Sequence, residues 1–252
     1  LICESGETSA TIFENLVIRN GYSSTNGGGM YNTGASPTLT NCTFESNSAA
    51  DDGGGMGNDN CSPTLTDCRF TGNSADYGGG MGNYSSSPTL TNCTFESNSA
   101  NYGGGMYNYI ASSPSLTDCT FTGNSADYGG GGMRNSNSNP TLTDCTFTSN
   151  SADYGGGMYN TSSSPTLTDT TVCGNTPDQI DGAYTDNGGN CITEVCGDSD
   201  GDETLDCDDN CPNDPNKTEP GDCGCGVPES GDSDGDGIAD CIDPCPNWPY
   251  DC

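Results

Sequence analysis

The 252-residue chain has no histidine and only four Lys plus Arg, against 36 Asp plus Glu. The missing histidines remove the usual partners of cysteine in zinc sites, so disulfides are the better reading of its cysteines. A net charge of −32 repels nucleic acid and anionic membrane alike and excludes both as partners. Long apolar runs are also missing, which excludes membrane insertion by a helix. Only 29% of residues are hydrophobic, a proportion that alone suggests disorder. The apolar residues nevertheless recur in register, and that reverses the reading.

From Pro37 onward one unit repeats: Ser-Pro-Thr-Leu-Thr-(Asn/Asp)-Cys-Thr-Phe-x-x-Asn-Ser-Ala. Its prolines are Pro37, Pro63, Pro88, Pro114, Pro140 and Pro165, 25 or 26 residues apart. Leu39, Leu65, Leu90, Leu116, Leu142 and Leu167 follow in step, then Phe44, Phe70, Phe95, Phe121 and Phe147, with Val172 in the last Phe place. A glycine run ending in Met30, Met56, Met81, Met106, Met133 or Met158 closes each unit. Residues 10–20 read as a degenerate earlier unit, with Ile12 and Val17 in the Leu and Phe places. The units lack a helix-forming segment. Short Thr-rich runs broken by Pro, Gly and Asn-Ser suit about three strands per coil with tight turns. The expected fold is all-β: a right-handed parallel β-helix of 25–26 residues per coil over residues 1–196, with residues 179–191 closing it. Coils would stack at ~4.8 Å with Leu, Cys, Phe, Ala and Met forming inward columns, each covered by its neighbours.

The Gly-Gly-Gly-Met boxes (Gly27 to Met30 and its copies) and the Phe-x-x-Asn boxes (Phe44 to Asn47, Phe70 to Asn73, Phe95 to Asn98, Phe121 to Asn124, Phe147 to Asn150) resemble those of the polymorphic outer-membrane proteins. The resemblance covers about residues 10–175. It implies a β-helical passenger and a role in adhesion or surface display, without the membrane-anchoring barrel of that family.

Other columns carry candidate chemistry. Cys42, Cys68, Cys93, Cys119 and Cys145 are read as buried free thiols acting as small hydrophobes; disulfides between coils are the alternative, disfavoured by parallel Cβ vectors. Thr-x-Thr pairs flanking each Leu point outward, either as ordinary solvated sheet or as an ice-binding array. Asn41, Asp67, Asn92, Asp118, Asp144 and Asp169 form a turn column whose adjacent carboxylates should repel unless screened or bridged by a cation. Tyr77, Tyr102, Tyr128 and Tyr154 precede the glycine runs, and Tyr31, Tyr107 and Tyr159 follow Met. They either stack on themselves or grip sugar rings. No acidic column is expected to break the repeat symmetry. Asn41, Asn60, Asn83, Asn92, Asn160 and Asn216 head Asn-x-Ser/Thr sequons and are candidate glycosylation sites of a glycoprotein.

Composition changes near residue 175, and residues 197–252 form a second region dense in acid and cysteine. Cys173 and Cys191 are plausible partners. Cys196, Cys207, Cys211, Cys223, Cys225, Cys241, Cys245 and Cys252 make an even set of open connectivity. Two loops share one acidic spacing: Asp198, Asp200, Asp202, Asp206, Asp209 and Asp232, Asp234, Asp236, Asp240, Asp243. Oxygens at positions 1, 3, 5, 9 and 12, with the main-chain carbonyl of Thr204 or Ile238 at position 7, can wrap a hard cation, and calcium suits flexible all-oxygen sites. The tail resembles thrombospondin type 3 repeats, which implies calcium held beside disulfides. The second loop has Gly237 at its turn; the first has Glu203 there, so a different turn is expected.

Cysteine density points to an oxidising compartment, hence to an extracellular, secreted or cell-surface protein. The chain opens at Leu1 within repeat-like sequence, which reads as the mature or clipped product of an exported protein. A rod of near-identical coils suggests a non-catalytic structural or adhesive role, with a homopolymer, cell-surface or matrix components, or glycans as partners, and fibres formed by end-to-end stacking. A carbohydrate- or ice-binding module is the alternative. A polysaccharide lyase or hydrolase is the rival of different class, with only Arg19, Arg69, Arg134 and Lys217 to offer as bases.

Overall fold

The computed structural model describes every residue except 5, 208, 229–230, 234, 236–237, 243–245 and 248–252. The described chain forms two compact units, Leu1–Glu194 and Val195–Cys252. The first is a parallel β-solenoid of about seven turns without helices.

Its strands form four parallel sheets running along the solenoid. The Met sheet begins each coil with segments such as Met81–Tyr84, the Leu sheet follows with Thr89–Thr91, and the Phe sheet with Thr94–Glu96. Each has eight strands. A fourth sheet, built on Ser-Ala segments such as Ser99–Tyr102, adds to the three expected. It has only five strands, because the four-glycine run from Gly129 to Gly132 shifts its register and leaves isolated bridges beyond.

Like residues lie over like. Leu39, Leu65 and Leu90 are register partners and fully buried, and the Met and Phe columns behave in the same way. The Phe rings stack at centroid distances of 4.7, 4.7, 4.6 and 4.5 Å, each pair 2° from parallel. These spacings equal the strand repeat, so backbone pairing and ring contact are satisfied by one translation. The Thr pairs lie on the outer face beside buried Leu.

The earliest coil differs from the sequence reading by one residue. Phe13 pairs with Leu39 and Ile18 with Phe44, so these two turn inward. Ile12 and Val17 stand opposite Thr38 and Thr43 and are 57% and 62% exposed. With a side-chain period of two, a slip of one position exchanges inside for outside.

Two buried asparagine ladders complete the interior, and the repeat pattern alone does not mark either as core. Asn32, Asn58, Asn83, Asn108, Asn135 and Asn160 pass one amide hydrogen bond of 2.9 Å from coil to coil. The asparagines of the Phe-x-x-Asn boxes form the second. Asn73 Nδ2 donates to Phe44 O and to Asn98 Oδ1, and Asn98 Oδ1 also accepts from Asn73 N–H. Both ends of each amide are engaged except at Asn32, which opens its ladder with a buried Oδ1 that has no partner, and this pairing makes polar burial tolerable. Gln179 ends this ladder by accepting from Asn175 N–H and Nδ2. Segments Ile180–Asp181, Thr185–Asp186 and Cys191–Thr193 then add one last strand to three sheets, placing Asp186 over Leu167. Residues 179–193 thus cover the Met, Leu and Phe columns of the coil before them, two residues beyond the expected 179–191, because Ile192 is the register partner of Val172.

Asn41, Asp67, Asn92, Asp118, Asp144 and Asp169 all have φ between 46° and 54°. Asn and Asp tolerate this left-handed conformation better than other L-residues, so turn geometry accounts for the column. Between two of these coils the amide bridges the carboxylate: Asn92 Nδ2 donates to Asp67 Oδ1 at 2.6 Å.

The five repeat cysteines are buried and free, together with Cys3 and Cys61. Each repeat thiol lies 3.3–3.4 Å from the carbonyl two residues earlier, as Cys68 does with Thr66. Burial pushes the Cys42 and Cys61 thiols up, which leaves little reactive thiolate at these two positions.

Candidate metal centre

In the second unit the acidic loops are built by backbone hydrogen bonds to their own carboxylates. Asp198 Oδ1 accepts from Gly201 N–H at 2.8 Å and its Oδ2 from Glu203 N–H at 3.1 Å. Asp200 Oδ1 accepts from Asp202 N–H, and Asp202 Oδ1 from Thr204 N–H. These bonds turn the chain around its own acidic groups, as short Asp side chains do. The result brings one oxygen each of Asp198, Asp200 and Asp202 within 4.8 Å of one another. That span is about twice a calcium–oxygen distance of ~2.4 Å, so one ion could touch all three.

Asp209 Oδ1 accepts from Cys211 N–H at 2.6 Å. The other oxygens, Asp200 Oδ2 and Asp209 Oδ2, are buried without a hydrogen-bond partner. A buried, unpaired carboxylate oxygen is costly, and a hard cation among Asp198, Asp200 and Asp202 would satisfy that of Asp200; Asp209 lies outside this cluster. Desolvation, followed by the charges of Asp202, Asp209 and Asp198, pushes the Asp200 carboxyl above its usual range. The residues therefore fit a hard divalent ion. Asp206 plays a different part. Ser199 donates to it from N–H at 2.7 Å and from Oγ at 2.8 Å, and its own N–H reaches Gly197 O at 2.8 Å. It fastens the loop ends and lies outside the three-carboxylate cluster.

The second loop repeats this construction. Ser233 donates from N–H and Oγ to Asp240 at 2.8 and 2.7 Å, and Gly235 N–H donates to Asp232 Oδ1 at 2.7 Å. Ile238 is half-buried. Asp234, Asp236 and Asp243 of the expected ligand set lie outside the described residues, as does Gly237. Glu203, which stands where the second loop has Gly237, has a φ of 77°, so an ordinary residue holds the left-handed conformation there.

Disulfides stand beside the loops. Cys211 pairs with Cys225 and Cys223 with Cys241, at Cα separations of 5.3 and 5.4 Å. Cys173, Cys191, Cys196 and Cys207 are disulfide-bonded as well. Bridges on this scale agree with an oxidising environment.

A family model described as "Right handed beta helix region" matches residues 3–133, just over half of the chain. The chain belongs to the right-handed β-helix family. No curated protein and no solved structure matches it. In this family member the sequons separate sharply. Asn83 and Asn160 are 2% and 6% exposed and sit in the first asparagine ladder, so the structure removes them as glycan acceptors. Asn41, Asn60, Asn92 and Asn216 are exposed.

Proposed function

We propose that the chain is an extracellular, non-catalytic structural or adhesive protein, in which the β-helix supplies a stiff rod and the acidic tail a calcium-organised module. The observation that carries the reading is the like-on-like register of Leu, Met and Phe over successive coils. Such stacking invests sequence in contacts between coils. Three of the four basic side chains are already engaged: Arg69 pairs with Glu96, Arg134 lies between two tyrosine rings, and Lys217 Nζ donates to Gly224 O. That weighs against a lyase base among them. Coil-on-coil pairing offers the same donor and acceptor rows to a second copy, which makes a homopolymer the first partner to seek. Electron microscopy of the mature protein with calcium should show end-to-end assemblies. Monomers alone, at all concentrations, would reject the fibre while leaving the rod intact.

Calcium is tested separately. Titrating Ca²⁺ into chelator-treated protein should change the fluorescence of Trp248, the only tryptophan of the chain, and slow proteolysis within the tail. At a hundredfold excess over Kd the stabilisation is about 2.7 kcal/mol. Asp200→Asn should weaken the response. An unchanged signal and digestion pattern would refute the calcium reading.

A further inference from the structure

One outer column of the Met sheet breaks the repeat. In register order it reads Tyr31, Gly57, Gly82, Tyr107, Arg134, Tyr159. Two successive coils thus lack the side chain that the column otherwise carries. The gap between Tyr31 and Tyr107 spans three coil steps, ~14 Å along the axis. The columns on either side change at the same coils. Asp52 stands where later coils have Tyr77 and Tyr102, and Asp59 stands opposite Tyr84, which pairs with Tyr109. The fit is tightest at Gly82, where a Cβ would come within 2.9 Å of Gly53 N and 3.2 Å of Asp52 Cβ; at Gly57 nothing lies closer than 3.0 Å.

The outcome is a notch. A hollow of about 330 Å³ is lined by Asp52, Tyr77, Tyr84, Tyr107 and Tyr109. A second, of about 250 Å³, shares Asp52 and Tyr84 and extends to Tyr31 and Asp59. The rings form a connected wall: Tyr77–Tyr107 at 5.3 Å, Tyr107–Tyr109 at 5.8 Å and Tyr84–Tyr109 at 5.8 Å between centroids. Tyr31 hydroxyl reaches Asp59 Oδ2 at 3.3 Å.

Aromatic faces with a carboxylate among them select organic cations. The same column contains a precedent, since the Arg134 guanidinium sits 4.7 Å from the Tyr102 centroid and 4.6 Å from that of Tyr159. An anionic or uronate ligand is excluded by Asp52 and Asp59 and by the net charge of −32. We propose that the notch over Gly57 and Gly82 binds an alkylammonium or guanidinium group, held between the tyrosine faces with Asp52 as its counter-ion.

Burial, and then the charges of Asp51, Asp59 and Asp76, push the Asp52 carboxyl up to about 6. The hydroxyls of Tyr31, Tyr77 and Tyr107 line the same space, and burial pushes each of them up, so they stay protonated through that range. Cation binding should therefore weaken as pH falls below 6. Raising a carboxyl above its unfolded value of 3.8 also costs stability once the group ionises. The cost is absent below pH 4, grows through the interval and is complete above about 6. Asp52→Asn should accordingly melt higher than the parent at pH 8 and alike at pH 4, which also verifies that the variant folds.

The test is calorimetric titration of the full chain at pH 7.5 with calcium present, at fixed ionic strength. Tetramethylammonium and ethylguanidinium serve as free cations, Gly-Lys-Gly and Gly-Arg-Gly as peptide-borne ones, and sodium and tert-butanol as controls. Saturable millimolar binding of the organic cations is expected, at least about tenfold weaker in Asp52→Asn and lost in Gly57→Tyr, which restores the usual residue of the column. Tighter binding of the peptides than of the free ions would identify a protein side chain as the source; the reverse would identify a small amine. Equal competition by sodium, equal binding of tert-butanol, or indifference to both substitutions would overturn the proposal.

Discussion

Alanine at Gly80 is expected to cost the β-helix about 3 kcal/mol or more, the upper range for overpacking a rigid interior. The added methyl would come within 2.5 Å of Gly105 O in the following coil and 2.8 Å of Phe95 Cδ1. Neither neighbour can yield. The carbonyl accepts from Met81 N–H at 3.0 Å, and the ring is clamped between Phe70 and Phe121. Coil separation is fixed by the strand repeat, so relief requires breaking hydrogen bonds in several sheets together. Gly72→Ser is the control. Gly72 has φ 61°, only Ser46 Oγ lies near a new Cβ, and Ser46, Ser97 and Ser149 hold the same conformation in the matching turn. It should change stability by no more than about 1 kcal/mol. Urea unfolding followed by circular dichroism would separate the two; equal midpoints would refute the steric account of the glycine runs.

That contrast marks what the sequence discloses. The columns of Leu, Met, Phe and Cys are legible because a side chain that is inward in one coil must be inward in the next. Residues 10–20 lack the Pro-Thr-Leu frame, and Ile12, Phe13, Val17 and Ile18 are all apolar, so the inward pair is invisible without the pairing partners. The asparagine ladders escape a sequence reading for another reason. Asn is ordinarily a turn residue, and the core role of Asn83 or Asn98 rests on an amide above and another below. The same ladder explains why Asn83 and Asn160, formally sequons, are inaccessible. In the tail the shared acidic spacing announces two equivalent loops, and their hydrogen bonds match. The orphaned oxygens of Asp200 and Asp209 depend on how the chain packs around them and carry no local signature. The breach at Gly57 and Gly82 lies open in the sequence, yet it becomes a site only when Asp52 and the tyrosines are set beside it.

Phe95→Ala should be among the most damaging large-to-small changes in the β-helix. Phe95 is fully buried and stacked on both faces, at 4.7 Å from Phe70 and 4.6 Å from Phe121. Losing such a side chain costs about 3–5 kcal/mol, a large share of the ~5–15 kcal/mol that holds a domain folded. Phe147→Ala is the informative comparison. Phe147 stacks on Phe121 alone, since its other neighbour in register is Val172, so it should cost less by about one ring pair, ~1 kcal/mol. Position matters further because coils contact only their neighbours. A defect at Phe95 separates coils on both sides, whereas one at Phe147 isolates a shorter block next to the closing segment. Phe95→Ala is therefore expected to turn one unfolding transition into two, as in a chain of nearest-neighbour units. Hydrogen exchange would locate them, with amides near Met56 and near Met133 losing protection independently. A single cooperative transition with unchanged midpoint would mean that the ring column contributes little, and that the sheets and asparagine ladders alone hold the coils together.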